Sequence, residues 1–132
     1  REIIAAYSTR FEEKRLEVNV NCGTDFLIYG DKGLIEKAFS NLIANAADHN
    51  RYEGKIRIDI ERDKCVIQNT GERIPEEDLP HVCDLFFTGS KSRGRGEKHL
   101  GVGLYLAEKI FRADGLGMKV ENTDNGVRVI VR

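Results

Sequence analysis

The sequence predicts an α+β domain: a two-layer sandwich whose mixed, mostly antiparallel sheet is covered on one face by about three helices. Three observations point there. Apolar and polar residues alternate in short runs, most clearly over Lys55 to Arg62, with Ile56, Ile58 and Ile60 against Arg57, Asp59 and Glu61, the pattern of a half-buried antiparallel strand. Helical periodicity marks separate segments, the longest near Lys32 to His49. The order runs helix, strands, helix, hairpin, long aperiodic stretch, helix, hairpin. That order gathers the helices on one side of a sheet.

Each element has its own signal. Ile3, Ile4, Tyr7 and Phe11 stand near helical spacing within Arg1 to Lys14, which predicts a short amphipathic helix. Glu17 to Cys22 alternates as a strand does, and Gly23 and Asp25 mark a turn. Phe26 to Tyr29 reads as a short apolar strand or bridge closed by Gly30 and Asp31. Asp31 is placed to cap the next helix. The run Cys65 to Gln68 predicts a strand after a tight turn at Asp63 and Lys64, ending at Asn69, Thr70 and Gly71. Glu72 to Leu100 lacks strong periodicity and is rich in charge and glycine. A loop of that length in a compact domain is usually functional. A short helix is expected within Glu76 to Phe87. Gly101 to Gly103 opens a helix to about Ala113 with Leu104, Ala107, Ile110 and Phe111 on its apolar face. Gly115 and Gly117 end it. Met118 to Asn122 and Val127 to Val131 form a closing hairpin around Asp124, Asn125 and Gly126.

Composition narrows the function classes. The chain has 132 residues, enough for one domain with a core of its own. Its 21 basic and 22 acidic side chains nearly cancel, so nothing global argues for nucleic acid or an anionic membrane as partner. No apolar run approaches the roughly 20 residues of a spanning helix. Cys22, Cys65 and Cys83 are odd in number, widely spaced and without histidines at zinc spacing, which predicts reduced cytosolic thiols. The chain begins at Arg1 rather than Met, as expected of an excerpt from a longer protein.

The most informative residues are Asn41 and Asn45. Four apart on a helix, they share a face. At about 100° per residue, Ile35, Phe39, Leu42, Ile43 and Ala46 fall on one side and are expected to pack on the sheet. Leu34, Lys37, Asn41, Asn45 and Asp48 fall nearly opposite and are expected to face a cleft. Neutral amides on such a stripe need partners, and ligand oxygens, a metal or base edges would supply them. Local capping is the alternative.

The ordered motifs resemble the ATP-binding catalytic domain of bacterial sensor histidine kinases, in the wider family shared with gyrase and Hsp90. The resemblance spans nearly the whole chain. The asparagine box is similar to Asn41 to His49, and the first glycine box to Asn69 to Pro75. The phenylalanine box is similar to Asp84 to Phe87, followed by Lys91, Ser92 and Arg93. The second glycine box is similar to His99 to Leu104. Each motif alone is weak, and four in order around one lid, about residues 72–100, are strong. The resemblance implies the Bergerat ATP-binding fold, ATP and Mg²⁺ as cofactors, and residues 1–132 as one catalytic domain.

It also implies roles. Asn45 matches the asparagine that ligates Mg²⁺; a neutral amide suffices where phosphates and waters fill most of the octahedron. Asn41 would contact phosphate or metal-bound water and, with Lys91 and Arg93 of the lid, form the catalytic set. Lys37 reads either as a phosphate contact or as a solvated lysine. Asp48 stands where a lysine is usual, and two readings remain: second sphere to Mg²⁺, or a solvated helix end. His49 either stacks on the nucleotide or is a surface histidine. Asn69 replaces the aspartate that accepts a hydrogen bond from the adenine amino group. Bonds to charged groups contribute about 1.5–3 kcal/mol and neutral ones about 0.5–1.5, so the exchange implies a loss of about 1 kcal/mol. An amide can also turn and donate, which would relax base selectivity. Gly71 permits close backbone approach, Ile74 lies beside it, and Arg73 replaces the box's second glycine. Gly101, Val102, Gly103 and Leu104 would bring backbone N–H groups to the phosphates at a helix start. His99 replaces the preceding glycine. Phe86 and Phe87 would anchor the lid. Arg95 and Lys98 add to its basic cluster, which either neutralises the triphosphate or is solvated.

The implied reaction is transfer of the γ-phosphoryl group to a histidine in two-component signalling. Asn41 stands where the gyrase-like ATPases carry the glutamate that activates water, which favours transfer over hydrolysis. His49, His81 and His99 lack the setting of an acceptor histidine. The resemblance therefore implies a separate dimerisation domain carrying the acceptor, a response regulator as further partner, a homodimeric full protein and a cytoplasmic position in a membrane-anchored sensor. The excerpt itself is expected to be monomeric and unable to phosphorylate itself. Alternatives are a nucleotide-gated binding module without transfer, an anti-sigma-type serine kinase, and a plain structural domain.

Overall fold

In the computed structural model, which describes residues 2–26, 28–84 and 103–132, β-sheet pairing sets the frame. The strands are β1 (Glu17–Cys22), β2 (Lys55–Ile60), β3 (Cys65–Thr70), β4 (Met118–Asn122) and β5 (Gly126–Val131). They lie in the order β1-β2-β3-β5-β4. β1 runs parallel to β2, and all other neighbours are antiparallel. The helices are α1 (Glu2–Ala6), α2 (Ser8–Glu13), α3 (Lys32–Asp48) and α4 (Gly103–Ala113). α3 is the crossover that a parallel β1–β2 pair requires. The α+β sandwich predicted from the sequence is the fold observed.

α3 starts where Asp31 accepts a hydrogen bond from the Leu34 N–H at 3.0 Å, satisfying one orphan donor of the first turn. α4 stops at Gly115, whose φ is +79°. The Leu116 N–H returns to the Phe111 carbonyl at 2.9 Å, a Schellman-type closure. The core lies between sheet and helices. Ala38, Leu42, Ile43, Ala46 and Ala47 of α3 meet Ala107, Ile110 and Phe111 of α4 over Ile56, Ile58, Ile67, Val129 and Val131. Phe39 packs edge-on to Phe111, with ring centroids 5.0 Å apart. The opposite face of the sheet pairs Val66 with Ile130 and is otherwise rich in charged pairs. Arg57 reaches Asp59 at 2.9 Å, and Arg128 reaches Glu121 at 2.8 Å.

The structure corrects several boundaries. The N-terminal helix is two short ones, broken at Tyr7. Phe26, Ile28 and Tyr29 form no strand, and Tyr29 is 87% exposed. The five strands pair without them, and Phe26 packs against the core instead. Among the described residues of the stretch from Glu76, the helix shrinks to a single 3₁₀ turn at Leu79–His81, with a proline in its first turn. β2 stops at Ile60 and β3 runs on through Thr70, so Asn69 sits within the sheet rather than after it. The buried face of α3 is also broader than the helical wheel drew it. Ala38 and Ala47 are buried while Ile35 and Phe39 are only half-buried, because α1, α4 and β3 all pack against this helix.

Phe111 is fully buried and joins both layers. Phe111→Ala is expected to lower unfolding free energy by about 3–5 kcal/mol in urea titrations. A loss below about 1 kcal/mol would contradict this account of the core.

Candidate functional site

The amide stripe lies beside α4. Asn41 donates from Nδ2 to the Gly103 carbonyl at 3.3 Å, which ties the middle of α3 to the first residue of α4. A Cβ at Gly103 would stand 3.9 Å from the Asn41 Cβ, an ordinary contact, so the bond itself does not demand glycine there. Asn45 lies one turn further on, half-buried, with no hydrogen bond to its amide among the described residues. Leu34 and Lys37 continue the stripe outward and are exposed.

A second set of residues forms where β3 ends against the end of α3. Asn69 is 9% exposed. Its Nδ2 donates to the Thr70 carbonyl at 2.9 Å, which leaves Oδ1 as an acceptor without a partner among the described residues. Gly71 has φ +135°, and a Cβ there would collide with the His49 carbonyl. A Cβ at Gly126 would collide with the Asn69 carbonyl. Two glycines thus let three backbones converge around Asn69.

A buried network holds that junction. The Thr70 hydroxyl donates to Asn50 Oδ1 at 2.6 Å and accepts from the Lys55 N–H at 2.8 Å. Asn50 Nδ2 donates to the Lys55 carbonyl at 3.0 Å. Asn50 and Thr70 are 7% and 6% exposed, so each polar atom needs these partners. A Cβ at Gly54 would collide with both side chains. Beyond Gly71, Asn122 clasps the chain: its Oδ1 accepts from the Ile74 N–H and its Nδ2 donates to the Ile74 carbonyl, each at 2.8 Å. Arg73 is exposed, and the backbone is pinned one residue after it. Sequence reasoning missed Asn50, Thr70 and Asn122. Each pairs with a residue distant in sequence, and no periodicity marks them.

Asp48 is half-buried and lies 3.5 Å from the Arg10 guanidinium of α2. His49 caps the helix and is exposed. Leu104 is half-buried against the core. Phe86, Lys91, Arg93, Gly101 and Val102 lie outside the described residues, as do Phe87, Arg95, Lys98 and His99. Among the described residues no group of three His, Cys, Asp or Glu side chains is placed to hold a metal. No helix among them is long and apolar enough to cross a membrane. A cavity of about 460 Å³ lies elsewhere, on the outer side of α4, where Cys83, Tyr105 and Arg112 help line it. None of its lining residues belongs to the amide stripe.

Residues 30–132 match the model of the histidine kinase-, DNA gyrase B- and HSP90-like ATPase family. The chain belongs to that ATPase family. Its relatives include the sensor protein CzcS of Cupriavidus metallidurans, 29% identical over 119 residues, 87% of this chain and 25% of that protein. The adaptive-response sensory kinase SasA of Gloeothece citriformis is 31% identical over 130 residues, 94% of this chain and 33% of that protein. The chain therefore spans about a quarter to a third of such relatives. The catalytic domain of histidine kinase ThkA superposes with a TM-score of 0.84 at 26% identity, over 99% of this chain and 86% of that one. ThkA solved in complex with the response regulator protein TrrA gives 0.75 at 25% identity, over 99% of this chain and 37% of that one. Within the ATPase family, the fold is that of a histidine kinase catalytic domain.

Cys65 and Cys83 are not poised as nucleophiles. Burial first, then the charge of Asp59 and Cys22, pushes the Cys65 thiol up to about 11. Burial, then Glu108 and Asp84, raises Cys83 to about 11 as well, against an opposing pull from Arg112. Both folded values lie above the ordinary 9.0. Protonated thiols therefore stabilise the fold fully below pH 9, and that contribution is lost as pH rises toward 11. Iodoacetamide at pH 8 is expected to label exposed Cys22 first. Labelling of Cys65 or Cys83 at the same rate would contradict the burial argument.

Proposed function

We propose that this chain binds Mg-ATP and transfers its γ-phosphoryl group to a histidine on an adjoining dimerisation domain of a two-component sensor. The observation that carries the reading is the Asn41–Gly103 hydrogen bond. It brings the amide stripe of α3 to the start of α4, where backbone N–H groups and a helix dipole favour phosphate. Asn69 and Gly71 stand at the far end of α3, so a nucleotide laid along the helix has its base at β3 and its phosphates at Asn41 and Gly103.

Each residue then has a task. Asn69 Oδ1 accepts from the adenine amino group. One of its two N–H groups is held by the Thr70 carbonyl, which disfavours turning the amide around. That opposes the relaxed base selectivity expected from an asparagine at this position. An oxygen acceptor here favours adenine, which offers an amino group, over guanine, which offers a carbonyl. Asn45 is the protein ligand for Mg²⁺. An uncharged amide without an acidic cluster fits a metal whose other ligands are phosphates and waters. Asn41 orients phosphate or metal-bound water and cannot act as the base of a hydrolase. His49 and Ile74 flank the base. Asp48, paired with Arg10, lies toward the base end rather than the phosphates.

The lid over about residues 72–100, with Phe86, Lys91 and Arg93, closes on the triphosphate. The second glycine box, Gly101, Val102, Gly103 and Leu104, is assigned to the phosphates. Phosphoryl transfer needs positioning and charge neutralisation more than covalent help, and this set supplies both. The acceptor histidine and the dimer belong to a separate domain, and the response regulator receives the phosphoryl group afterwards. The ThkA–TrrA complex supports that last partner. The full protein is a homodimeric sensor, anchored in a membrane with this domain in the cytoplasm.

Calorimetric titration tests the reading. The chain is expected to bind ATP at least tenfold more tightly than GTP. Asn45→Ala is expected to remove most of the gain in ATP affinity that Mg²⁺ provides, roughly tenfold, while adenosine binding stays unchanged. An unchanged Mg²⁺ response would overturn the role of Asn45. Equal affinity for GTP would overturn that of Asn69.

A further inference from the structure

The end of α3 is gripped by two cations from α2 and its cap. A helix C-terminus carries unpaired carbonyls and partial negative charge. The Lys14 ammonium lies 2.7 Å from the Asp48 carbonyl, 3.0 Å from that of Ala47 and 3.2 Å from that of Asn50. Its three donors match those three acceptors. One turn earlier, the Arg10 guanidinium reaches the Asp48 carboxylate at 3.5 Å. The Lys14 carbonyl in turn accepts from the Glu53 N–H at 2.7 Å, so the residue is anchored on both sides.

The turn they grip touches the base end of the site. The His49 carbonyl abuts Gly71. Asn50, whose own carbonyl Lys14 holds, bonds Thr70 beside Asn69. A displacement of this turn would therefore be felt at Asn69 and Gly71 before it reached Asn41, which lies about 10 Å away along the helix at 1.5 Å per residue.

We propose that Lys14, supported by Arg10, is a positioning latch through which the α1–α2 segment sets the base end of the nucleotide site. The inference rests on the proposed nucleotide reading. Arg10 contributes less than Lys14, because an exposed ion pair is weak and a multiply bonded ammonium at a helix end is not. Movement of the α1–α2 segment would then change nucleotide affinity without touching the nucleotide.

The test is titration of adenosine and ATP into the wild-type chain, Lys14→Met, Lys14→Arg and Arg10→Gln, with hydrogen exchange along α2. Lys14→Met is expected to weaken adenosine and ATP by the same factor, about three- to tenfold. Its Mg²⁺ dependence should stay as in the wild type. Lys14→Arg restores most of the affinity, and Arg10→Gln weakens it less, about twofold. By linkage, adenosine should slow exchange of α2 amides in the wild type and less so in Lys14→Met. Affinity unchanged in Lys14→Met and Arg10→Gln, with only the melting temperature lowered, would overturn the latch and leave the nucleotide reading intact. A loss confined to ATP would overturn it too, by moving the effect to the phosphates. If Lys14→Met fails to fold, adenosine affinity in Arg10→Gln and the α2 exchange of the wild type decide. No binding by the wild type would overturn the nucleotide reading and the latch with it.

Discussion

The close approach of β3's end to the end of α3 is the constraint on which the site depends. Gly71 passes the His49 carbonyl where no side chain fits. The Asn50–Thr70 hydrogen bond closes the gap at 2.6 Å between two buried groups. Bonds of this kind contribute modestly when made and are expensive to lose when buried. The junction therefore has one good arrangement. Asn69 inherits its orientation from that arrangement, because its neighbours on both sides are held.

From this junction the nucleotide axis follows. In the proposed reading, α3 (Lys32–Asp48) spans from the base end at Asn69 to the phosphate end at Asn41. Its own position is set by packing on three sides, by α1, α4 and the sheet. The polar stripe is what remains uncovered. A single helix thus carries the core on one side and ligand groups on the other, so rigidity of the core becomes precision at the site. The neutral character of the stripe has a chemical consequence. Amides accept and donate without imposing charge, which suits a polyanion and metal that largely neutralise one another.

Much of this was legible in the sequence where periodicity carries it. The alternation expected over Lys55 to Arg62 makes a strand over Lys55–Ile60, the apolar face of Ala107, Ile110 and Phe111 is buried as expected, and Asp31 caps α3. The amide pair stood out because asparagines four apart on a core-rich helix demand partners. What was not legible depends on contacts without sequence period. Ala38 displaces Ile35 as the deeper residue because α1 and α4 crowd α3 from its flanks. Phe26 to Tyr29 alternates little and reads as a strand, but Phe26 is drawn onto the core and Tyr29 lies in solvent. Asn122, Asn50 and Lys14 are ordinary surface types in the sequence. Only folding sets them on backbone groups of Ile74, Lys55 and the end of α3. The expectation that Asn69 could turn its amide was reasonable for a free side chain. The Thr70 carbonyl holds one of its two N–H groups, which disfavours the turn.

The central claim is that the nucleotide lies along α3 with its base at Asn69 and its phosphates at Asn41 and Asn45. Side-chain amide resonances of these three asparagines, followed by NMR during titration, report it directly. Adenosine alone should perturb Asn69 and leave Asn41 and Asn45 still. Mg-ATP should perturb all three. Perturbation by adenosine centred on Asn41, or by either ligand on the outer sheet face at Arg57 and Arg128, would contradict the account.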